Sequence, residues 1–296
     1  MREQSSFGRF HPVVLFSYYI LVILFAMFTT HPVVLACVLF GGICFFGLLH
    51  PVRVLAGNLV YYLFVFFLIS LCNPLFVHNG ETILFFMNDN PVTLEAICYG
   101  VAVAAMITGV MFWCKSYTMI LTTDKFLYLF GRILPKLSLV LSMALRFIPL
   151  FKQQSQKIGK AQKAMGLYAG ESRIDRILGG VRTFDGLLSW SLENSIDTAD
   201  AMRARGYGLP GRTSFSLFYF HKRDKMLLWV MFVLGLMIGI SYFQGNFSFL
   251  YYPVMDVISW EAAAILRYGA VLLFMLLPSV IELKEKIQWN FLKSNI

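Results

Sequence analysis

The residues best placed to do chemistry fall in one stretch, 197–208, read as DTADAMRARGYG. Acids (Glu193, Asp197, Asp200) precede bases (Arg203, Arg205), the order that a helix dipole favours. Behind them Leu188, Leu192, Ala199 and Met202 recur near helical spacing. Gly206 and Gly208 then supply a stop, because glycine enters the left-handed conformation that closes a helix. The pattern predicts a helix with Arg205 on its last turn, where a guanidinium reaches outward with a planar fork of donors. The plainer reading of the same residues is a helix end with a dipole-balancing base and a glycine cap.

A second stretch repeats the arrangement. Ala164-Met165-Gly166 follows the basic helical run QQSQKIGKAQKAMG, forty residues before Ala204-Arg205-Gly206 (204 − 164). Two similar ends on one basic block point to two similar docking sites on a partner with two similar subunits. Two unrelated glycine caps would give the same pattern.

The elements that position these ends lie in a chain of 296 residues, 58% hydrophobic and only 14% charged. That is too apolar for an ordinary soluble domain. Six apolar runs are read as membrane spans: 13–28, 33–49, 55–72, 96–114, 226–243 and 266–281. The fourth is rich in small residues (Gly100, Ala102, Ala104, Ala105, Gly109), which allows close helix packing in lipid, and the fifth carries a G-x-x-x-G from Gly235 to Gly239. The first run is followed by a second one and by no cleavage signal, so it is read as an uncleaved span. The loops 73–95 and 244–264 hold no lysine or arginine, whereas Arg53, Lys115, Lys125, the block 151–225 and the tail are basic. With both termini cytoplasmic, six spans satisfy the positive-inside rule. The net charge of +9 is then a property of the inner face, and no nucleic-acid partner is implied.

Residues 126–150 are apolar but carry Arg132, Lys136 and Arg146. Charges in a span are costly, so this region is expected to lie at the membrane surface or against protein, with a partial dip over 137–151 left open. The expected organisation is an all-α polytopic membrane protein: a four-span region 1–125, cytoplasmic or interfacial helices 126–225, and a two-span region 226–296 with its tail.

Other motifs carry little. A literal G-x-G-x-x-G at 206–211 follows no strand and contains Pro210. Walker A, H-E-x-x-H and G-x-S-x-G patterns are absent. The five cysteines lie in or beside apolar runs without metal-type spacing, and the five histidines are dispersed, so no metal or cofactor is expected.

On these residues the chain resembles the transmembrane T component of energy-coupling-factor ABC transporters, the EcfT family with its cobalt-type members. The likeness is sharpest in SWSLENSIDTADAMRARGYG (189–208), SMALRFIPLF (142–151), and NPLF with a downstream glycine (73–80); His11-Pro12 and His31-Pro32 also fit. The resemblance implies two coupling helices, each ending in an Ala-Arg-Gly-like signature whose arginine docks on one of two ATPase subunits. Ala204, Arg205 and Gly206 match the second signature. Ala164 and Gly166 match the first, where Met165 replaces the usual arginine and would fill an apolar notch. The resemblance also implies a substrate-binding S component in the membrane, uptake of a vitamin, its precursor or a transition-metal ion, and a bacterial or archaeal inner membrane. Two other classes stay in view: a scaffold that only binds a cytoplasmic partner, and a membrane enzyme using His221, Asp224 or Glu171 on the inner face.

Overall fold

The computed structural model describes residues 5–87, 90–131, 134–167, 173–207, 209 and 218–294. The chain divides into two compact units, Met1–Phe126 with Phe218–Ile296, and Leu127–Leu217.

The first unit is a helix bundle: α1 Pro12–Phe28, α2 Pro32–Leu49, α3 Val52–Phe76, α4 Leu94–Ile120, then α8 Lys222–Phe243 and α9 Ala262–Ser294. Five of these helices, α2, α3, α4, α8 and α9, are long and apolar enough to cross a membrane, and α1 is an apolar helix of 17 residues. Prolines at the start of α1 and α2 (Pro12, Pro32) open each helix where a missing N–H costs nothing.

Lipid offers little drive to bring helices together, so close packing must supply it. At Gly100 of α4 an added Cβ would stand 2.6 Å from the Ser70 carbonyl of α3, and at Gly41 of α2 one would stand 2.8 Å from Met275 Cβ of α9. Beside the Gly41–Met275 crossing sits an aromatic core of Phe7, Tyr18, Tyr19, Phe45 and Trp113, all buried and packed largely edge to face. Two of its polar ring atoms bond helix carbonyls: Trp113 Nε1 donates to Val38 O (3.1 Å) and Tyr18 OH to Phe274 O (3.1 Å).

The two ends of this bundle differ. At one end Asn73 Nδ2 donates to Ala96 O (2.7 Å), Tyr251 OH donates to Thr30 O (2.8 Å), and Tyr268 OH meets His31 Nε2 at 3.1 Å. These contacts gather the loops that lack lysine and arginine. At the other end the segment before α1 is stitched down by buried carboxylates. Glu282 Oε2 accepts from Phe7 N (3.1 Å) and Ser5 Oγ (3.1 Å), and Asp224 Oδ1 accepts from His11 N (3.1 Å). Lys125 Nζ donates to Gly8 O (2.6 Å) and Ile120 O (2.9 Å), and Lys286 Nζ to Leu48 O (2.9 Å). Burial lowers the Lys125 pKa, and two carbonyls hold its ammonium in place.

One sequence expectation is corrected here. The region read as a polar loop, 73–95, builds an antiparallel hairpin, β1 Ile83–Met87 with β2 Asn90–Thr93, whose Ile83, Leu84, Phe85 and Phe86 are exposed. The five-residue apolar run Ile83–Met87 shows no alternation, and Pro91 lies in the second strand, so the alternating strand signal is missing. Apart from this hairpin the architecture is all-α.

The second unit is built on α6 Pro135–Ala164 and α7 Arg173–Ala204, with the short α5 Thr123–Gly131 leading into it. Helix α7 runs unbroken through Gly179, Gly180 and Gly186. An added Cβ at Gly180 would meet nothing, while one at Gly186 would rest on Ile158 at 3.5 Å. The glycines therefore cost helix propensity without breaking the rod, and Gly186 marks the approach to α6.

Candidate functional site

Both sequence-chosen ends close with the same backbone geometry. After α6, Gly166 takes φ +72°, its N–H donates to Lys163 O (3.1 Å), and Leu167 N–H donates to Gln162 O (3.1 Å). After α7, Gly206 takes φ +76°, its N–H donates to Arg203 O (3.0 Å), and Tyr207 N–H donates to Met202 O (3.1 Å). Each is a paired-bond cap of the Schellman type, in which only a residue without a Cβ sits at ease. Helix α8 ends the same way at Gly245 (φ +76°), so the cap is general helix chemistry. What sets the two ends apart is the residue that each presents.

Those residues stand out from the fold. Ala164, Met165 and Gly166 are exposed, Met165 to 67% of its surface. Ala204 and Arg205 are exposed and Gly206 is half-exposed. Among the described residues no carboxylate pairs with Arg205, while its neighbour Arg203 leans on Asp200 at 3.8 Å. A bare guanidinium at a helix end has all its donors to offer a partner's acids.

The two ends are not brought together. Phe151 packs on Trp190 (ring centroids 5.9 Å), Ile158 lies beside Gly186, and Thr183 Oγ1 donates to the buried Gln162 Oε1 (3.3 Å). Residue numbers rise on α6 as they fall on α7, so the helices are antiparallel. The Gln162–Thr183 contact is three residues before Met165 (165 − 162) and 22 before Arg205 (205 − 183). Those 22 residues are roughly 33 Å of helix, so the ends sit far apart on opposite sides of the crossing.

Among the described residues α7 carries an exposed apolar stripe. Val181, Phe184, Leu188, Leu192 and Ile196 recur at helical spacing and are 48 to 67% exposed. From the sequence, the outer apolar faces of the helices around 137–165 and 174–205, rich in Leu, Phe and Met, are expected to need a partner in or on the membrane.

The residues of the enzyme reading are otherwise engaged. Asp224 Oδ2 accepts the His221 N–H (2.8 Å) while the His221 ring accepts from the Asp224 backbone, a reciprocal cap on α8. With Oδ1 taken by His11 N, that carboxylate holds structure together. Glu171 lies outside the described residues, as do Gly208, Pro210 and Gly211 of the glycine motif.

Fold and exposed ends together define a multi-pass, all-α membrane protein with a paired-helix unit. The model of the CbiQ family, described as cobalt transport protein, matches residues 4–215. The chain belongs to that family. It is also 39% identical over 100 residues to the energy-coupling factor transporter transmembrane protein EcfT 1 of Listeria monocytogenes, an alignment covering 33% of this chain and 38% of that protein. The corresponding EcfT proteins of Lacticaseibacillus paracasei (38% identical; 33% and 38% covered) and Exiguobacterium sibiricum (35% identical; 38% and 43% covered) are similar. The chain thus aligns with about two fifths of the length of these curated relatives.

Proposed function

We propose that this chain is the energy-coupling transmembrane subunit of an ATP-driven importer. It would transmit nucleotide-driven movement of two partner ATPases to a separate membrane component that binds a vitamin, its precursor or a transition-metal ion. The observation that carries this reading is the pair of matched, exposed helix ends at opposite extremities of α6 and α7. Two separated ends suit a partner with two equivalent grooves, and α6 and α7 between them form the lever.

At the Arg205 end, a guanidinium entering a partly desolvated acidic groove would make charge-assisted bonds, stronger than at an open surface. At the other end Met165 offers the second ATPase a flexible thioether, which adapts to irregular surfaces. The exposed stripe on α7 is the surface for the substrate-binding component; from Val181 to Ile196 it runs 15 residues, about 22 Å. The chain supplies no chemistry of its own, and hydrolysis belongs to the ATPases. The basic end of the bundle faces the cytoplasm, with both termini and the ends of α6 and α7 on that side, as the positive-inside rule asks.

Purification of the tagged chain from its own membrane tests the reading. Two Walker-bearing chains and one small hydrophobic chain should come with it, and uptake should need ATP. Co-purification without ATP-dependent flux would favour a scaffold. A cysteine placed at Lys163 that is labelled by an impermeant reagent in intact cells would overturn the orientation and the coupling role with it.

A further inference from the structure

The basic end of the bundle contains a cleft of about 450 Å³ between the turn before α1, the start of α8 and the last turns of α9. Its rim carries Arg9, Arg223 and Lys284, and its floor includes Leu227, Val230 and Leu277. We infer that this cleft binds an anionic phospholipid, its phosphate on Arg223 and Lys284 and its upper acyl chain against α8 and α9.

Charge favours an anion. Two carboxylates also line the cleft, but both are committed: Asp224 accepts two backbone N–H groups, and Glu285 Oε1 pairs with Arg9 at 2.9 Å. Arg223 and Lys284 are exposed and, among the described residues, have no acidic partner. Depth favours a lipid over a free ion. On α8 the lining passes from Arg223 to Val230, and on α9 from Lys284 to Leu277, seven residues in each case (230 − 223; 284 − 277). Seven residues are roughly 10 Å of helix, and both helices turn from cationic to apolar over the same distance. A headgroup with the first part of its chains has that profile, and inorganic phosphate has no use for the lower half. The reading rests on the helices crossing a membrane and not on the transport function.

Native mass spectrometry of the full-length chain in detergent tests it, with dioleoyl phosphatidylglycerol, dioleoyl phosphatidylcholine and inorganic phosphate as probes. Phosphatidylglycerol should bind in preference to phosphatidylcholine. The Arg223→Gln/Lys284→Gln variant should bind it roughly thirtyfold more weakly, two cations each giving a several-fold advantage at an anionic lipid. The charge-keeping Arg223→Lys/Lys284→Arg variant should retain it, as should Lys225→Gln, whose side chain lies off the cleft. Equal binding of the two lipids overturns the proposal, as does a doubly neutralised chain that holds phosphatidylglycerol as tightly as the parent. Displacement by millimolar phosphate alone would show a free-anion site instead, and a protein co-purifying on Arg223 and Lys284 a protein interface. An unchanged melting temperature in the neutralised variant separates loss of binding from loss of fold.

Discussion

In an Arg205→Glu variant the isolated chain should lose little stability, because the wild-type side chain is exposed and has no carboxylate partner among the described residues. What it gives the fold is its interaction with the end of α7, about 0.3–1 kcal/mol, and reversing the charge at most doubles that loss. Docking is another matter. A charge-assisted hydrogen bond in a desolvated groove contributes about 1.5–3 kcal/mol, so Arg205→Ala should weaken ATPase binding roughly 10- to 150-fold. The acidic replacement adds repulsion: two like charges about 4 Å apart at an effective dielectric near ~20 cost about 4 kcal/mol. Docking at that end should then fall below detection. The assay is co-expression with the ATPase pair, recovery on a tag on this chain, and substrate uptake, with thermal unfolding of the chain alone as control. Parent-like recovery and uptake with Arg205→Glu would refute the docking role. A fall of more than about 8 °C in melting temperature would also refute the reasoning, since it would show that Arg205 supports the fold.

Met165→Arg should be tolerated by the free chain, since the residue it replaces is 67% exposed, and should keep or strengthen ATPase recovery; loss of assembly would show that this end fits an apolar notch. Gly100→Ala should destabilise the bundle by about 1–3 kcal/mol, because its Cβ would stand 2.6 Å from the Ser70 carbonyl, whereas Gly57→Ala, with open space around it, should be neutral or slightly stabilising; denaturant titration in mixed micelles compares them. Burial lowers the His11 pKa and outweighs the raising effect of Asp224, so the neutral ring is the folded form. The unfolded chain then binds the extra proton first, and stability that is whole above about 6.5 should decline as pH falls below it; His11→Gln should flatten that slope in melting curves taken between pH 5 and 7.5.

Much of the bundle could be read from residue patterns because long hydrophobic runs report directly on lipid. The ends of α6 and α7 were legible for a similar local reason: small-x-Gly after an amphipathic run specifies a cap within a few residues. The hairpin at Ile83–Thr93 was not, for its strand residues neither alternate nor avoid proline. Nor could local spacing show that Asp224 and Glu282 are buried acceptors for N–H groups 213 and 275 positions away. Reading those two carboxylates alone, one assigns them to a solvated helix face, or, for Asp224, to catalysis. Whether α7 survives its glycines likewise depends on what lies opposite each: Gly186 faces Ile158, and Gly180 faces open space.

The stitch between Phe7 and Glu282 also has a bearing on biogenesis. During translation Phe7 emerges long before Glu282, so the first helices must enter the bilayer while the seam between them and α9 is still open. That seam closes only when α9 arrives. Insertion and assembly are therefore separate events in this chain, and α9 acts as the latch that ends the second.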